Sequence, residues 1–256
     1  MSELTLREKA VAVLQSIETG DPQAFAYINP DRYIQHNLSL PDGLQGIASV
    51  LRSQPVGSFK ARVVRAFEDG DHVFTHTVYD YFGPKVGFDV FRFEHGLIVE
   101  HWDNLMPVRP ANKSGRTLVD GSTDLADRDR TTANKRLVET FFTDNILKGA
   151  GTFAQYIHPS MAQHNPDGAD GLQGLGEMMA FFMGGGNTMR YDKIHKVLGE
   201  GNFVLLMSEG IYGPGGGAPT AFYDLFRVDN GKLVEHWDVL EPIAPRDQWQ
   251  NGNGKF

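Results

Sequence analysis

The tetrapeptide Glu-His-Trp-Asp occurs at Glu100–Asp103 and again at Glu235–Asp238. On a strand, side chains alternate. His101 then shares a face with Asp103, and His236 with Asp238, while Glu100, Trp102, Glu235 and Trp237 take the opposite face. A His two residues from an Asp is a usable acid–base pair, because the carboxylate raises the imidazole's proton affinity and burial raises the carboxyl's own pKa. The same pair can equally be a structural hydrogen bond at a sheet end, with the Trp covering a core or an interface. Gln-His-Asn is repeated as well. His36 with Asn37, and His164 with Asn165, can position a substrate carbonyl or donate to a developing oxyanion. They can instead cap the turn before a helix. If the segment is extended, neighbouring His and Asn cannot both face inward. Asp89 and Asp224 lie two residues before Phe91 and Phe226 and share their face, with Arg92 and Arg227 opposite. They either point inward to bind substrate or form an edge salt bridge. Asp42 and Asp170 precede apolar helical stretches and read as N-caps.

The rest of the composition narrows the chemistry. The 256 residues contain no cysteine, which removes disulfides, thiolate nucleophiles and Cys-based zinc sites. The His and carboxylate spacing matches no metal motif, so no metal and no cofactor are expected. There is no GxGxxG after a strand, no phosphate-binding GxxxxGK[ST], and no nucleophile elbow. Met178-Met179 with Phe181-Phe182 reads as helix core. A formal charge of −8 argues against nucleic-acid and anionic-membrane partners. A charged start and the lack of an apolar run of about 18 residues predict a cytoplasmic protein.

The repeated motifs belong to a larger duplication. Tyr33–Gly46 returns as Met161–Gly174, and Phe88–Asp103 returns as Tyr223–Asp238, in the same order. The second copy is seven residues longer between its two blocks, and the glycine runs at 184–186 and 215–217 can hold the excess as loops. The division is residues 4–107, a Pro/Gly/Ser-rich linker at 108–130, a second copy at 131–243 and a tail at 244–256. Thr5 with Glu8 forms a capping-box pattern before the first helix, and Asp21-Pro22 opens a second. A third helix spans GLQGIASVLRS. The period then shifts towards two over four runs joined by short turns, as in an antiparallel meander. RLVETFF, TFAQYI and GLGEMMAFF repeat the helices. The fold class is α+β: two tandem cone-shaped domains, each with three helices packed on a curved antiparallel sheet.

With QHNPDGADGLQG, the YDLFR strand and NGKLVEHWD, the second copy resembles SnoaL-like polyketide cyclases of the nuclear transport factor two-like superfamily. The first copy departs from the pattern, lacking the Pro after QHN and carrying EHG for DNG. The resemblance implies cofactor-independent acid–base catalysis inside a cone, with Asp103 and Asp238 moving protons during aldol-type closure. It also aligns Asn37 and Asn165 with the base of ketosteroid isomerase, and an amide cannot accept that proton. The expected function is aldol-type cyclisation, isomerisation or a related proton transfer on a small apolar carbonyl compound. His101 and His236 assist, while His36, Asn37, Asp89, His164, Asn165 and Asp224 position the substrate. A non-catalytic binding protein for a hydrophobic ligand, and an epoxide or ester hydrolase using an activated water, are the alternatives. The expected partner is a small molecule. Fusion of two copies predicts an intramolecular pseudo-twofold dimer with Trp102 and Trp237 near the contact, and further oligomerisation is open.

Overall fold

The computed structural model describes residues 3–52, 55–184 and 187–256. The chain divides into two compact units, Met1–Pro107 with Ala244–Phe256, and Val108–Ile243. The segment 108–130, expected as a linker, therefore lies within the second unit, and residues 244–256 lie within the first. No helix among the described residues is long and apolar enough to cross a membrane.

In unit 1, α1 (Leu6–Thr19) begins at the Thr5/Glu8 capping box, both reciprocal hydrogen bonds being present. Asp21 caps a short 3-10 helix over Pro22–Tyr27. The strand β1 (Ile34–Gln35) and helix α2 (Leu44–Arg52) follow; Ser53, expected in that helix, lies outside the described residues. Four strands complete the unit: β2 (Lys60–Asp69), β3 (His72–Asp80), β4 (Pro84–Glu94) and β5 (Leu97–Pro107). Ala10 and Leu14 of α1 pack with Val73, Phe91, Phe93 and Ile98 from the sheet.

Unit 2 repeats this plan. Helix α3 (Thr131–Phe141) runs into a π-helical turn (Phe142–Leu147), then come α4 (Phe153–Tyr156), β6 (Ile157–Gln163) and α5 (Gly171–Gly184). The strands β7 (Asn187–Glu200), β8 (Phe203–Pro214), β9 (Ala218–Asp229) and β10 (Lys232–Pro242) close the unit. Its core joins Val138, Phe141 and Phe142 to Val204, Leu206, Phe226 and Leu233.

The sheet orders are β1-β5-β4-β3-β2 and β6-β10-β9-β8-β7. Both sheets are mixed rather than purely antiparallel, because the Gln-His-Asn segment pairs in parallel with the Glu-His-Trp-Asp strand. The backbone N–H of His36 donates to His101 O, and that of His164 to His236 O, each at 2.9 Å. This pairing brings the two repeated motifs together.

One extra residue per unit decides what faces the core. Arg92 pairs with Glu100 but Phe93 pairs with Ile98, so Val99 is a bulge. Arg227 pairs with Glu235 and Val228 with Leu233, so Val234 is the equivalent bulge. Ile98 and Leu233 pack in the cores. Strict alternation from them would send Glu100 and Glu235 inward; the bulge shifts the phase by one, and His101, Asp103, His236 and Asp238 face inward instead.

The seven extra residues of unit 2 are not taken up by glycine loops. They lengthen the strands: β7 has 14 residues where β2 has 10, and β8 has 12 where β3 has 9. Gly215–Gly217 forms a turn of the same length as Tyr81–Gly83, while Gly185 and Gly186 lie outside the described residues. Added strand length keeps its backbone paired, and two bulges in β7, at Asp192 and His195, take up its length in excess of β8.

The 108–130 segment is held by buried polar bonds. Asn112, 8 % exposed, donates from Nδ2 to Gln163 O at 2.5 Å and Asn165 O at 3.2 Å. Its Oδ1 accepts from the backbone N–H of Ser114 and Arg116. Asn112→Ala leaves these groups buried and unpaired, and is expected to destabilise the protein by about 2–3 kcal/mol. The neighbouring, exposed Lys113→Ala is expected to change stability by under about 0.5 kcal/mol. Urea denaturation checks both, and equal midpoints would show that the segment is only a tether.

Candidate active site

Each unit gathers two carboxylates around one imidazole. Strand register sets Asp89 directly opposite Asp103, and Asp224 opposite Asp238. His236 Nε2 meets Asp224 Oδ1 at 3.1 Å and its Nδ1 meets Gln163 Oε1 at 2.9 Å. In unit 1, His101 Nε2 meets Asp89 Oδ1 at 3.3 Å and Nδ1 meets Gln35 Oε1 at 3.1 Å. Asn165 donates to Asp238 Oδ2 at 2.5 Å, and Asn37 to Asp103 Oδ2 at 2.6 Å. Asp89, His101, Asp103, Asp224, His236 and Asp238 are all buried.

The glutamine fixes the tautomer. Gln163 Oε1 also accepts the Asn165 backbone N–H at 2.9 Å, so it is the acceptor and His236 Nδ1 carries a proton. Nε2 is then left to share a proton with Asp224. Stacking of the imidazole on Phe226, with ring centroids 4.6 Å apart, holds its plane.

Two buried carboxylates facing each other cannot both ionise cheaply. Burial pushes Asp238 up to about 6; the positive His236 opposes this and the negative Asp224 adds to it. His236 is itself raised: burial opposes its charged form, but the Asp224 hydrogen bond and both aspartates outweigh that. Asp238 Oδ1 and Asp224 Oδ2 have no hydrogen-bond partner. The base of the site therefore keeps unused acceptor oxygens beside a proton that titrates near neutrality.

Asp224, His236 and Asp238 line a cavity of about 250 Å³ in unit 2. Phe141, Phe142, Ile146, Met178, Met179 and Phe182 give it an apolar wall, with Gln163, Tyr191, Asp224, His236 and Asp238 at the polar end. Met178, Met179 and Phe182, expected as plain helix core, thus line a cavity. At about 250 Å³ it falls just below the ~300–1,000 Å³ typical of ligand pockets, which suits a small ligand.

The structure separates the two residues of each His-Asn pair. Asn37 and Asn165 face the aspartates. His36 and His164 do not, which corrects their expected role in positioning substrate. His36 stacks on Trp102 at 4.7 Å and meets Glu100 Oε1 at 2.9 Å; His164 stacks on Trp237 at 4.7 Å and meets Glu235 Oε1 at 3.0 Å. Extended backbone at the motif forces this division. Arg92 and Arg227 add bonds to the same glutamates. Burial favours the neutral acid at Glu100 and Glu235, yet their His and Arg partners hold both below the usual range. Asp42 and Asp170 precede helices as expected of caps, but they accept the backbone N–H of Gln35 and Gln163. They clamp the motif strand.

No sequence pattern marks the tyrosines of the site. Tyr79 donates to Asp89 Oδ2 at 2.5 Å, and Tyr191 to Asp224 Oδ1 at 3.4 Å. They are not repeat equivalents. His72 and Phe203 both pair with the conserved-spacing arginines Arg92 and Arg227, which makes Gly210 the counterpart of Tyr79. Tyr79 faces Ala61 across the strands, and Tyr191 faces Gly210. Each unit thus has one tyrosine opposite a small residue, supplied from different strands. Comparing the copies position by position hides it. Burial and the nearby aspartates raise both phenols well above 10, so they remain O–H donors.

Asp89, His101 and Asp103, and likewise Asp224, His236 and Asp238, each offer one ligand-type atom within 4.8 Å of the others. Spacing along the chain gave no sign of this convergence. In unit 2 both imidazole nitrogens are already engaged, on Gln163 and Asp224, which suits a shared proton.

The raised groups make stability pH-dependent. Native Asp238 keeps its proton to about 6, whereas an unfolded Asp releases it near 3.8, so unit 2 loses stability as pH rises between them. His236, raised above 6.5, contributes stability below that value that is lost as pH rises through its native pKa. Both act in the same direction. Asp238 accounts for about 3 kcal/mol between pH 4 and 8. Asp238→Asn is expected to flatten the fall in urea midpoint over that range; an unchanged slope would refute the assignment.

Residues 135–236 match the family model described as SnoaL-like domain. No curated protein matches the sequence. Among solved structures the chain is similar to TsrD from Streptomyces laurentii, with 19 % identity over 40 % of this chain and 91 % of that one, TM-score 0.35. It is similar to IdmH from Streptomyces antibioticus, with 19 % identity over 40 % and 92 %, TM-score 0.33. A third is an NTF2-like protein of unknown function from Mesorhizobium loti, with 22 % identity over 46 % and 98 %, TM-score 0.36. The stretch that matches the SnoaL-like domain model, residues 135–236, contains Asn165, Asp224 and His236.

Proposed function

We propose that unit 2 is a cofactor-independent acid–base enzyme acting on a small, mostly apolar carbonyl compound by aldol-type cyclisation, isomerisation or a related proton transfer. The observation that carries this reading is the Asp224–His236–Asp238 cluster at the polar end of an apolar cavity, with the pKa of Asp238 at about 6. A group poised there can accept a proton from carbon and return it at neutral pH. Asp238 Oδ1 is the acceptor. Its other oxygen is occupied by Asn165, which fixes the carboxylate plane. As Asp238 takes up the proton, negative charge moves to the substrate oxygen, and the positive His236 stabilises it. Asp224 and Gln163 hold the imidazole in place. Unit 1 gathers Asp103, His101, Asp89, Asn37 and Tyr79 into a similar cluster.

The second reading is a binding protein that uses the same cavity without turnover. The aromatic and methionine wall favours it to the extent that such surfaces hold apolar ligands of varied shape.

A panel of small β-dicarbonyl and ketone substrates followed by NMR separates these readings. Turnover is expected, with kcat falling about 10²–10⁴-fold in Asp238→Asn while the dissociation constant changes little. Turnover that survives Asp238→Asn would remove Asp238 from the mechanism. Binding without turnover across the panel would favour the binding protein.

A further inference from the structure

The two sites differ in a residue that neither repeated motif contains. In each unit a segment from outside the repeat runs along Gln-His-Asn and is fastened to it. In unit 2 the His164 Nδ1–H donates to Thr117 O at 2.8 Å, and Leu118 comes next, 4 % exposed. In unit 1 the His36 Nδ1–H donates to Gly254 O at 2.9 Å, and Lys255 comes next, 6 % exposed. The shared anchor makes Lys255 the counterpart of Leu118. Asn251 and Asn253 hold this strap: their side chains donate to Asn37 O, Leu40 O and Gln35 O.

Lys255 puts its ammonium 3.7 Å from Asp103 Oδ1, with both side chains under a tenth exposed. That oxygen has no hydrogen-bond partner, the other being held by Asn37. It is the equivalent of Asp238 Oδ1, the acceptor assigned to catalysis in unit 2.

We propose that Lys255 closes the first site: its ammonium stands against the one acceptor oxygen that Asp103 has left, so unit 1 is occupied by its own chain and unit 2 admits the ligand. The proposal rests on reading the two clusters as binding sites. A buried ammonium next to a buried carboxylate is hard to displace with a neutral molecule, because removing either partner strands the other. Leucine at the equivalent place in unit 2 makes no such demand. The repeat has therefore kept two similar clusters with different access.

Binding alone tests this, independently of turnover. The probe is 2-acetylnaphthalene, a neutral aryl ketone, titrated calorimetrically into the full chain. One site per chain is expected in the unmodified protein, two in Lys255→Leu, one in Lys255→Arg and none in Leu118→Lys. The same number in the unmodified protein and in Lys255→Leu, including none in both, would overturn the proposal. Should Lys255→Leu fail to fold, reductive methylation of the unmodified protein decides. Lys255 is expected to react at least about tenfold more slowly than the exposed Lys148, and equal rates would overturn the closed site.

Discussion

Two carboxylates meet across neighbouring strands in each unit, buried and on the same face, and most of the local structure exists to make that arrangement tolerable. Like charges directly opposite one another in a sheet repel, and low polarity around them strengthens the repulsion. An imidazole placed against the pair shares a proton with it. Asn165 and Asn37 each take one carboxylate oxygen, and Tyr191 and Tyr79 reach the other carboxylate. In unit 2, what remains is a cluster in which burial pushes Asp238 up to about 6. The burial that costs stability at high pH is also what holds the Asp238 carboxyl there.

The single-residue bulge at Val99 and Val234 is what aims this cluster inward. On the outer side it presents Glu100 and Trp102, or Glu235 and Trp237, to the motif histidines and to Arg92 or Arg227. Inner chemistry and outer support are thus two faces of one strand. A histidine–tryptophan stack and a Glu–Arg–His group fix the backbone from outside. The glutamine and asparagine of the neighbouring motif fix the side chains from inside.

The two units share these contacts and differ in what surrounds them. Unit 2 has longer first two strands, and its tyrosine comes from β7 instead of the position corresponding to β3. Unit 1 has a strap carrying lysine where unit 2 has leucine. Identical motifs can therefore sit in sites of different access, since access depends on what packs over the motif.

The sequence by itself determined a great deal here. The capping box at Thr5 and the sharing of one face by His236 and Asp238 were legible, because each depends on neighbours within a few residues, and the repeat was legible by direct comparison. So was the rule that His164 and Asn165 cannot both face inward. Which of them does was not legible, nor was the phase of the Glu-His-Trp-Asp strand, because a bulge is defined only by the partner strand. Gln35 and Gln163 looked like ordinary motif residues until parallel pairing set them beside the imidazoles. Tyr79, Tyr191 and Lys255 reach their aspartates across strands or from a distant segment, and no periodicity records such a contact. Local patterns fix which face a side chain takes relative to its neighbours; only the packed sheet decides which face is the inside.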